Sequence, residues 1–160
     1  MSKMCRRNRP GERRGSLRRF RATVPAIESS FLSLDFIYVP TRDVDSTARH
    51  YTDVLGADLR WKVRGMGTVV ACVTLAGEGP AVLLSGHLEG DVPILVYRVA
   101  DYRATVAGLR GRGLTALHEI EIPHGPLASF EAAGGQRFAV YQLTRPEAAA
   151  KFEGIVDEPD

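Results

Sequence analysis

One pattern of residues occurs twice in this chain, 58 positions apart. The segment FIYVPTRDVDSTARHYTDVLG, which starts at Phe36, aligns with ILVYRVADYRATVAGLRGRG, which starts at Ile94. Each copy begins with an apolar, β-branched and aromatic run that is typical of a β-strand. A repeat of this kind indicates two similar structural units, so we expect one domain built from two halves.

The strand-like run of each copy leads into a helix start. Asp43 and Asp101 can each accept a hydrogen bond from the free backbone N–H groups of a first helical turn. Apolar residues then recur at intervals of three and four, which places one apolar stripe against a sheet. Both helices are expected to end near glycines, Gly56 and Gly113, because a left-handed residue there causes no Cβ clash.

Three further strands follow each predicted helix. They are ADLRWKV, TVVACVTLA and AVLLS in the first copy, and LTALHEIEI, LASFEA and RFAVYQL in the second. The predicted fold class is therefore α+β, with two tandem βαβββ modules at residues 32–88 and 92–145. A small sheet cannot easily bury both of its faces alone, so the modules should pack together.

Basic residues are concentrated at the N-terminus. Residues 1–30 hold nine of the 21 Lys and Arg residues and two of the 19 acidic residues. This run has no apolar periodicity, so we expect a disordered Arg-rich tail at 1–30 and a domain at 31–145. An arm for nucleic acid is the alternative interpretation, but the acidic body offers no second basic patch, so no nucleic-acid partner is expected.

Residues 146–160 are expected to form a C-terminal tail that opens with a short helix at Pro146.

No apolar run approaches the roughly 18 residues that a membrane span needs. The sequence therefore predicts a cytoplasmic protein without a membrane partner. Its two cysteines, Cys5 in the tail and Cys72 in TVVACVTLA, favour reduced thiols in the cytosol over a disulfide, with Cys72 buried in the core.

Tandem βαβββ modules in which a strand leads into an Asp-capped helix resemble the vicinal oxygen chelate superfamily. This superfamily includes glyoxalase I, extradiol dioxygenases, and the fosfomycin and bleomycin resistance proteins. The resemblance covers residues 32–145 and depends most on VPTRDVDSTARHYTDVLGADL and HGPLASFEAAGGQRFAVYQLTRPE. It implies a curled mixed sheet shaped like a cup, with the helices outside. It also implies a homodimer, in which the modules pair either within one chain or between two.

In metal-using members of that superfamily, the metal ligands come from the first and last strands of each module. The resemblance places these positions at Phe36, Ile94 and Ala139, and at either Val82 or Leu83. Metal-using members need His or carboxylate side chains there, and none of these residues can supply one. The sequence therefore predicts no metal at this site and no cofactor.

The cup that the resemblance implies would have an apolar lining. Side chains alternate along a strand, so one face of each strand should point into the cup. With Trp61 in the wall, a lining of aromatic and aliphatic side chains suits a small, mostly apolar or aromatic molecule. The predicted ligand-binding residues are Phe36, Tyr38, Trp61, Ile94, Val96, Ala139 and Tyr141.

Three residues are candidate catalytic groups for this cup. His124 could exchange protons near neutral pH, and Tyr38 and Tyr141 carry phenol hydroxyls. His118 lies on the same face as His124 by alternation, so the pair could contribute to a nonstandard metal site, but no third ligand is visible on that face.

The sequence leaves three functions open. The first is a glyoxalase-like or bleomycin-resistance-like protein that binds a small molecule without metal. The second is a metal-independent enzyme of the same fold, an isomerase, cyclase or lyase. The third is a metal-dependent lyase or dioxygenase with nonstandard ligands. Binding pockets and metal-free active sites use the same residue types, so the first two remain side by side.

Overall fold

A computed structural model describes residues 30–65 and 67–157 of the chain. Apart from Ser30, the predicted Arg-rich tail lies outside the described residues, and so does Cys5. Two βαβββ modules follow one another along the chain, as predicted. The elements are β1 (Phe31–Pro40), α1 (Val44–Asp53), β2 (Asp58–Gly65), β3 (Thr68–Thr74), β4 (Ala81–Ser85), β5 (Ile94–Val99), α2 (Tyr102–Gly111), β6 (His118–Ile122), β7 (Gly125–Glu131), β8 (Arg137–Tyr141) and α3 (Glu147–Ala150).

The eight strands form one mixed sheet in the order β2-β3-β4-β1-β5-β8-β7-β6. Within the modules, β1 pairs in parallel with β4, and β5 pairs in parallel with β8. The first strands of the two modules, β1 and β5, pair antiparallel at the centre of the sheet. The predicted α+β fold is therefore confirmed, and in this structure the two modules join within one chain.

Both long helices begin and end as the sequence predicts. The carboxylates of Asp43 and Asp101 each accept a hydrogen bond of 2.9 Å from the backbone N–H three residues later. Gly56 and Gly113 follow the helices with positive φ values of 70° and 97°. Such a conformation is easy for glycine because it has no Cβ. Among the described residues, no helix is long and apolar enough to cross a bilayer.

The two helices cover one face of the sheet. Val44 and Ala48 of α1 are buried against the strands of module one, and Tyr102 and Val106 of α2 are buried against module two. We call this side the helix face and the opposite side the cup face. Burial of apolar stripes against the sheet follows from the helical spacing in the sequence.

The C-terminal segment packs against the sheet after α3. Residues 154–157 run along the edge strand β2, where Val156 forms a parallel bridge with Lys62. The backbone N–H of Lys62 donates to Ile155 at 2.7 Å, and that of Asp157 donates to Lys62 at 2.9 Å. This pairing satisfies backbone groups that an edge strand would otherwise expose. It links residues far apart in sequence, so no local pattern predicts it.

Candidate functional site

The apolar residues that the sequence assigned to the cup come together on the cup face. Ile94, Val96, Ala139 and Tyr141 form one buried cluster, which we call the floor, together with Leu127. Two further predicted lining residues, Phe36 and Tyr38, pack against the floor and are only partly buried. The structure thus brings six of the seven predicted lining residues together, and their role in binding a ligand stays a prediction.

The register of β4 decides which of its residues faces the cup. Leu83 lies opposite Tyr38 on β1, whereas Val82 belongs to the cluster buried under α1. The position that the sequence left open is therefore Leu83. The four positions at which the resemblance places metal ligands are therefore Phe36, Leu83, Ile94 and Ala139.

Side chains from outside the central strands cover part of the floor. Leu88, in the linker between the modules, packs over it together with Ile122 and Leu143. Arg137 of β8 holds this linker in place, because its Nη1 donates a hydrogen bond of 2.8 Å to the carbonyl oxygen of Glu89. Among the six lining residues that lie together, the rings that remain partly exposed are the two carried by β1.

A polar group lies at one end of the floor, and we call Ser33, Asp35, Arg98 and Tyr141 the Asp35 cluster. The carboxylate of Asp35 accepts hydrogen bonds of 2.5 Å from the hydroxyls of Tyr141 and Ser33. The Nε of Arg98 lies 3.4 Å from Oδ2 of Asp35, which is ion-pair range without the alignment of a hydrogen bond. Burial, and then the hydrogen bond to Asp35, raise the pKa of the Tyr141 phenol above its ordinary value.

Asp35 reaches the cup face because of a β-bulge. The register between β1 and β5 shifts between Leu34 and Phe36. A bulge adds one unpaired residue and changes the side to which its neighbours point. Strict alternation from Phe36 would send Asp35 to the helix face, whereas its contact with Tyr141 places it on the cup face.

His124 lies beside this cluster. Its ring centroid is 5.6 Å from that of Phe36 and 6.3 Å from that of Tyr141. Burial lowers the pKa of the imidazole and the charge of Arg145 lowers it further, while Asp35 acts in the opposite direction. The imidazole is therefore neutral at neutral pH and can accept a proton or a hydrogen bond.

The turn that holds His124 requires the glycine after it. Gly125 has a φ of +146°, and a Cβ there would lie 2.2 Å from the carbonyl oxygen of Gln142 and 2.7 Å from Oγ1 of Thr144. The carbonyl oxygen of His124 also accepts a hydrogen bond of 3.1 Å from the backbone N–H of Arg145. The chain leaving β8 thus fixes the position of the His124 backbone.

A second polar group lies around the ring of Tyr38, and we call Tyr38, Thr68, Ser85 and His87 the His87 cluster. The Nδ1 of His87 lies 2.9 Å from the hydroxyl of Ser85 and 3.0 Å from that of Thr68. The rings of Tyr38 and His87 are 6.2 Å apart between centroids. Burial raises the pKa of Tyr38, and the nearby hydroxyl of Ser85 partly offsets this effect. The Ser85 hydroxyl therefore lies near both rings.

Trp61, the seventh predicted lining residue, lies further out on β2. Its indole is 5.4 Å from the ring of Phe152 in the C-terminal segment.

Cys72, which pairs with Trp61 across the sheet, is buried, and burial raises the pKa of its thiol to about 11. The predicted buried core cysteine is therefore confirmed.

The two histidines proposed for a nonstandard metal site do not lie together. His118 begins β6, and His124 follows the end of that strand. The four residue steps of β6 span roughly 13 Å, and the turn that holds His124 lies beyond the end of that strand. In the part of the chain that the structure describes, no three His, Cys, Asp or Glu side chains are grouped so that they could hold a metal ion.

Two surface depressions lie away from the predicted lining. One, of about 350 Å³, opens at the edge of module two and is bordered by Leu117 and Phe130. The other, of about 520 Å³, lies beside the start of α2, near Asp101 and Gln142. Neither of them includes a residue of the predicted lining.

Reasoning from the sequence missed several polar residues of the cup face. Arg98 could have been found, because it follows Ile94 and Val96 at the same two-residue spacing. Asp35 could not have been found in this way, because the bulge turns its side chain to the cup face against the alternation of the strand. The contact between His87 and Tyr38 depends on the path of the linker, for which the sequence gives no signal.

A single sheet of eight strands built from two βαβββ modules, with helices on one face, is the fold of the vicinal oxygen chelate superfamily. Among solved structures, the chain is similar to methylmalonyl-CoA epimerase from Mycobacterium tuberculosis, with a TM-score of 0.63 and 21% identity over 77% of this chain and 95% of that one. A hypothetical protein from Bacillus halodurans C-125 matches with a TM-score of 0.56 and 15% identity, over 71% of this chain and 95% of that one. At such identities the likeness shows the fold, and that part of the resemblance is confirmed. No family model and no curated protein matches the sequence.

Proposed function

We propose that this protein binds a small, mostly apolar or aromatic molecule on its cup face, without the metal ion that metal-using relatives hold there. One observation carries the proposal. Phe36 and Tyr38 present partly exposed rings beside a buried apolar floor, and a histidine ring accompanies each of them, His124 beside Phe36 and His87 beside Tyr38. Rings arranged in this way favour a flat ligand held by ring contacts and a few hydrogen bonds.

Solved structures of the same fold support a small-molecule ligand. One is a methylmalonyl-CoA epimerase variant from Streptomyces coelicolor in complex with 2-nitronate-propionyl-CoA, with a TM-score of 0.58 and 17% identity over 72% of this chain and 96% of that one. In our protein, apolar side chains occupy the four positions that correspond to metal ligands. A ligand would therefore be recognised by shape, by ring contacts and by the two polar clusters.

A pair of matched variants tests where the ligand binds. Tyr38→Leu removes a cup-face ring, and Tyr97→Leu removes a partly buried ring that contacts Phe31 and Phe138 instead. With phenyl-naphthylamine as a fluorescent probe, we expect Tyr38→Leu to weaken binding by about tenfold and Tyr97→Leu to leave it unchanged. No binding to the wild type, or equal weakening in both variants, would contradict the proposal.

Metal independence is tested on the same purified protein. Binding of the probe should be unchanged after dialysis against a chelator, because the proposed contacts involve no cation. A stoichiometric amount of zinc, iron or manganese that survives dialysis would overturn this part of the proposal.

A second candidate function is a metal-independent isomerase, cyclase or lyase, and the His87 cluster favours it. The hydroxyl of Ser85 lies 2.9 Å from Nδ1 of His87, and the ring of His87 lies 6.2 Å from that of Tyr38, so a substrate beside them could exchange protons with the imidazole and the phenol. His124 would supply a second acid–base group beside Phe36. Once a substrate is identified, the variants Tyr38→Phe, His87→Gln and His124→Gln should each lower turnover more than they raise KM. Full turnover in all three would exclude this chemistry.

The homodimer that the resemblance implies stays a prediction. Sedimentation of the full chain over a range of concentrations would measure it directly. A monomer at all concentrations would leave the binding proposal intact, because all the contacts described above lie within one chain.

A further inference from the structure

Arg98 lies on the cup face next to the floor. It pairs across the sheet with Tyr141 on one side and with Ser33 on the other. Its side chain is 40% exposed, whereas Tyr141 is 2% exposed. The guanidinium therefore stands between the buried apolar floor and solvent.

One edge of this guanidinium faces a carboxylate and the other is open. The Nε edge faces Asp35, whose carboxylate is already fixed by hydrogen bonds from Tyr141 and Ser33. Within the described residues, the terminal Nη atoms of Arg98 have no hydrogen-bond partner. Two parallel N–H donors on a planar group match the two oxygens of a carboxylate or a similar oxyanion.

The other arginine near this end of the cup uses its Nε and Nη2 donors within the chain. The Nε of Arg145 donates to the carbonyl oxygen of Pro123 at 2.8 Å, and its Nη2 donates to Glu121 at 2.5 Å and to the carbonyl oxygen of Ile122 at 2.6 Å. Arg145 thus fixes the turn that carries His124. Arg98, in contrast, uses neither of its terminal nitrogens within the described residues, so both remain available to a ligand.

We propose that Arg98 binds an oxyanion, such as a carboxylate or a sulfonate, on the ligand of the cup, while the apolar body of that ligand lies against Phe36 and the floor. This inference rests on the proposed binding function and specifies its ligand class as an apolar or aromatic acid. The ion pair with Asp35 already restricts the guanidinium, so that less side-chain freedom is lost when the anion binds.

Two fluorescent probes that differ by one charged group test the inference. Anilinonaphthalene sulfonate carries an oxyanion, and phenyl-naphthylamine is the same molecule without it. We expect the wild type to bind the sulfonate about tenfold more tightly, since a charge-assisted contact at a partly exposed site has roughly this effect. Added salt should weaken the binding of the sulfonate probe and leave the binding of the neutral probe unchanged.

Variants of Arg98 then assign the preference to this side chain. Arg98→Ala should bind both probes equally. Arg98→Lys should keep only part of the preference for the sulfonate, because lysine retains the positive charge but lacks the two parallel N–H donors. Arg49→Ala removes the same charge from an exposed position of α1 and should behave as the wild type. The melting curve of each variant shows that it is folded, and Arg98→Lys serves as the test if Arg98→Ala does not fold.

The outcomes separate this inference from the proposed function. If the neutral probe binds the wild type as tightly as the sulfonate, or if both Arg98 variants keep the full preference, the role of Arg98 is overturned while the binding function stands. If neither probe binds, the proposed function fails and this inference fails with it.

Discussion

Asp35 is the residue that most changes the chemistry of the cup. A charged side chain beside a buried apolar cluster has to be paired or hydrogen-bonded. Tyr141 and Ser33 supply two hydroxyl donors, and Arg98 supplies an opposite charge 3.4 Å away. The cluster also joins the modules, because Asp35 belongs to β1 and Tyr141 to β8.

Replacing Asp35 with asparagine should destabilise the fold. The asparagine amide keeps one acceptor oxygen for the hydroxyls of Tyr141 and Ser33 but replaces the other oxygen with an N–H₂ group. Arg98 also loses the negative charge with which it pairs. We expect a loss of about 1–3 kcal/mol in the free energy of unfolding, measured by urea denaturation. Asp91→Asn, at an exposed position, is the control and should have little effect. Equal stability of both variants would show that the Asp35 cluster contributes nothing to the fold.

His124 should make stability depend on pH. Its folded pKa lies below the ordinary value near 6.5, so the native state favours the neutral ring. The stability it contributes is present above the unfolded pKa. It is lost as the pH falls from there toward the folded pKa, because the unfolded chain then binds the proton more readily.

Melting temperatures measured at about pH 8 and about pH 5 test this dependence. The wild type should lose more stability on acidification than His124→Gln does, because the glutamine side chain does not titrate. His50→Gln, at an exposed position of α1, should follow the wild type. An identical acid response of wild type and His124→Gln would show that this ring titrates normally in the fold.

At the scale of elements, the C-terminal segment pairs with the edge strand β2 much as a short additional strand would. It provides the backbone pairing at Lys62, an ion pair of 2.6 Å between Glu153 and Arg60, and the ring contact between Phe152 and Trp61. The segment thus ties the end of module two to the outer strand of module one.

Trp61 is the only tryptophan of the chain, so its fluorescence reports on this contact. Phe152→Ala should shift the emission of Trp61 to longer wavelength, since the indole gains contact with water, and should cost about 1 kcal/mol because it removes a partly exposed ring pair. Val156→Ala, at a residue of the same segment that is 44% exposed, should leave the emission unchanged. An unshifted spectrum in Phe152→Ala would mean that the segment does not cover Trp61 in solution.

At the scale of the whole molecule, the sequence predicted what depends on local pattern. The repeat, the capping aspartates Asp43 and Asp101, and the alternation along the strands were enough to predict two βαβββ modules. Features that depend on the path of the chain in space were missed. The bulge at Asp35 and the pairing of Val156 with Lys62 both join distant parts of the sequence, and no short-range spacing encodes them.

The sheet that joins the modules should make the protein unfold as one unit. β1 and β5 pair at its centre, and the Asp35 cluster and the Arg137 contact to the linker also cross between the halves. A substitution in one module should therefore lower the stability of the other. Val140→Ala empties part of the buried core under α2 and should cost about 2 kcal/mol.

Trp61 lies in module one, so its fluorescence provides a local test of this coupling. In Val140→Ala, the urea midpoint seen by Trp61 fluorescence should fall by the same amount as the midpoint seen by far-ultraviolet circular dichroism, which reports on both modules. Val92→Ala, at a linker position that is 40% exposed, should shift neither midpoint. If the fluorescence transition kept its wild-type midpoint while the dichroism split into two steps, the modules would be independent units. The cup face between them would then not be a rigid site.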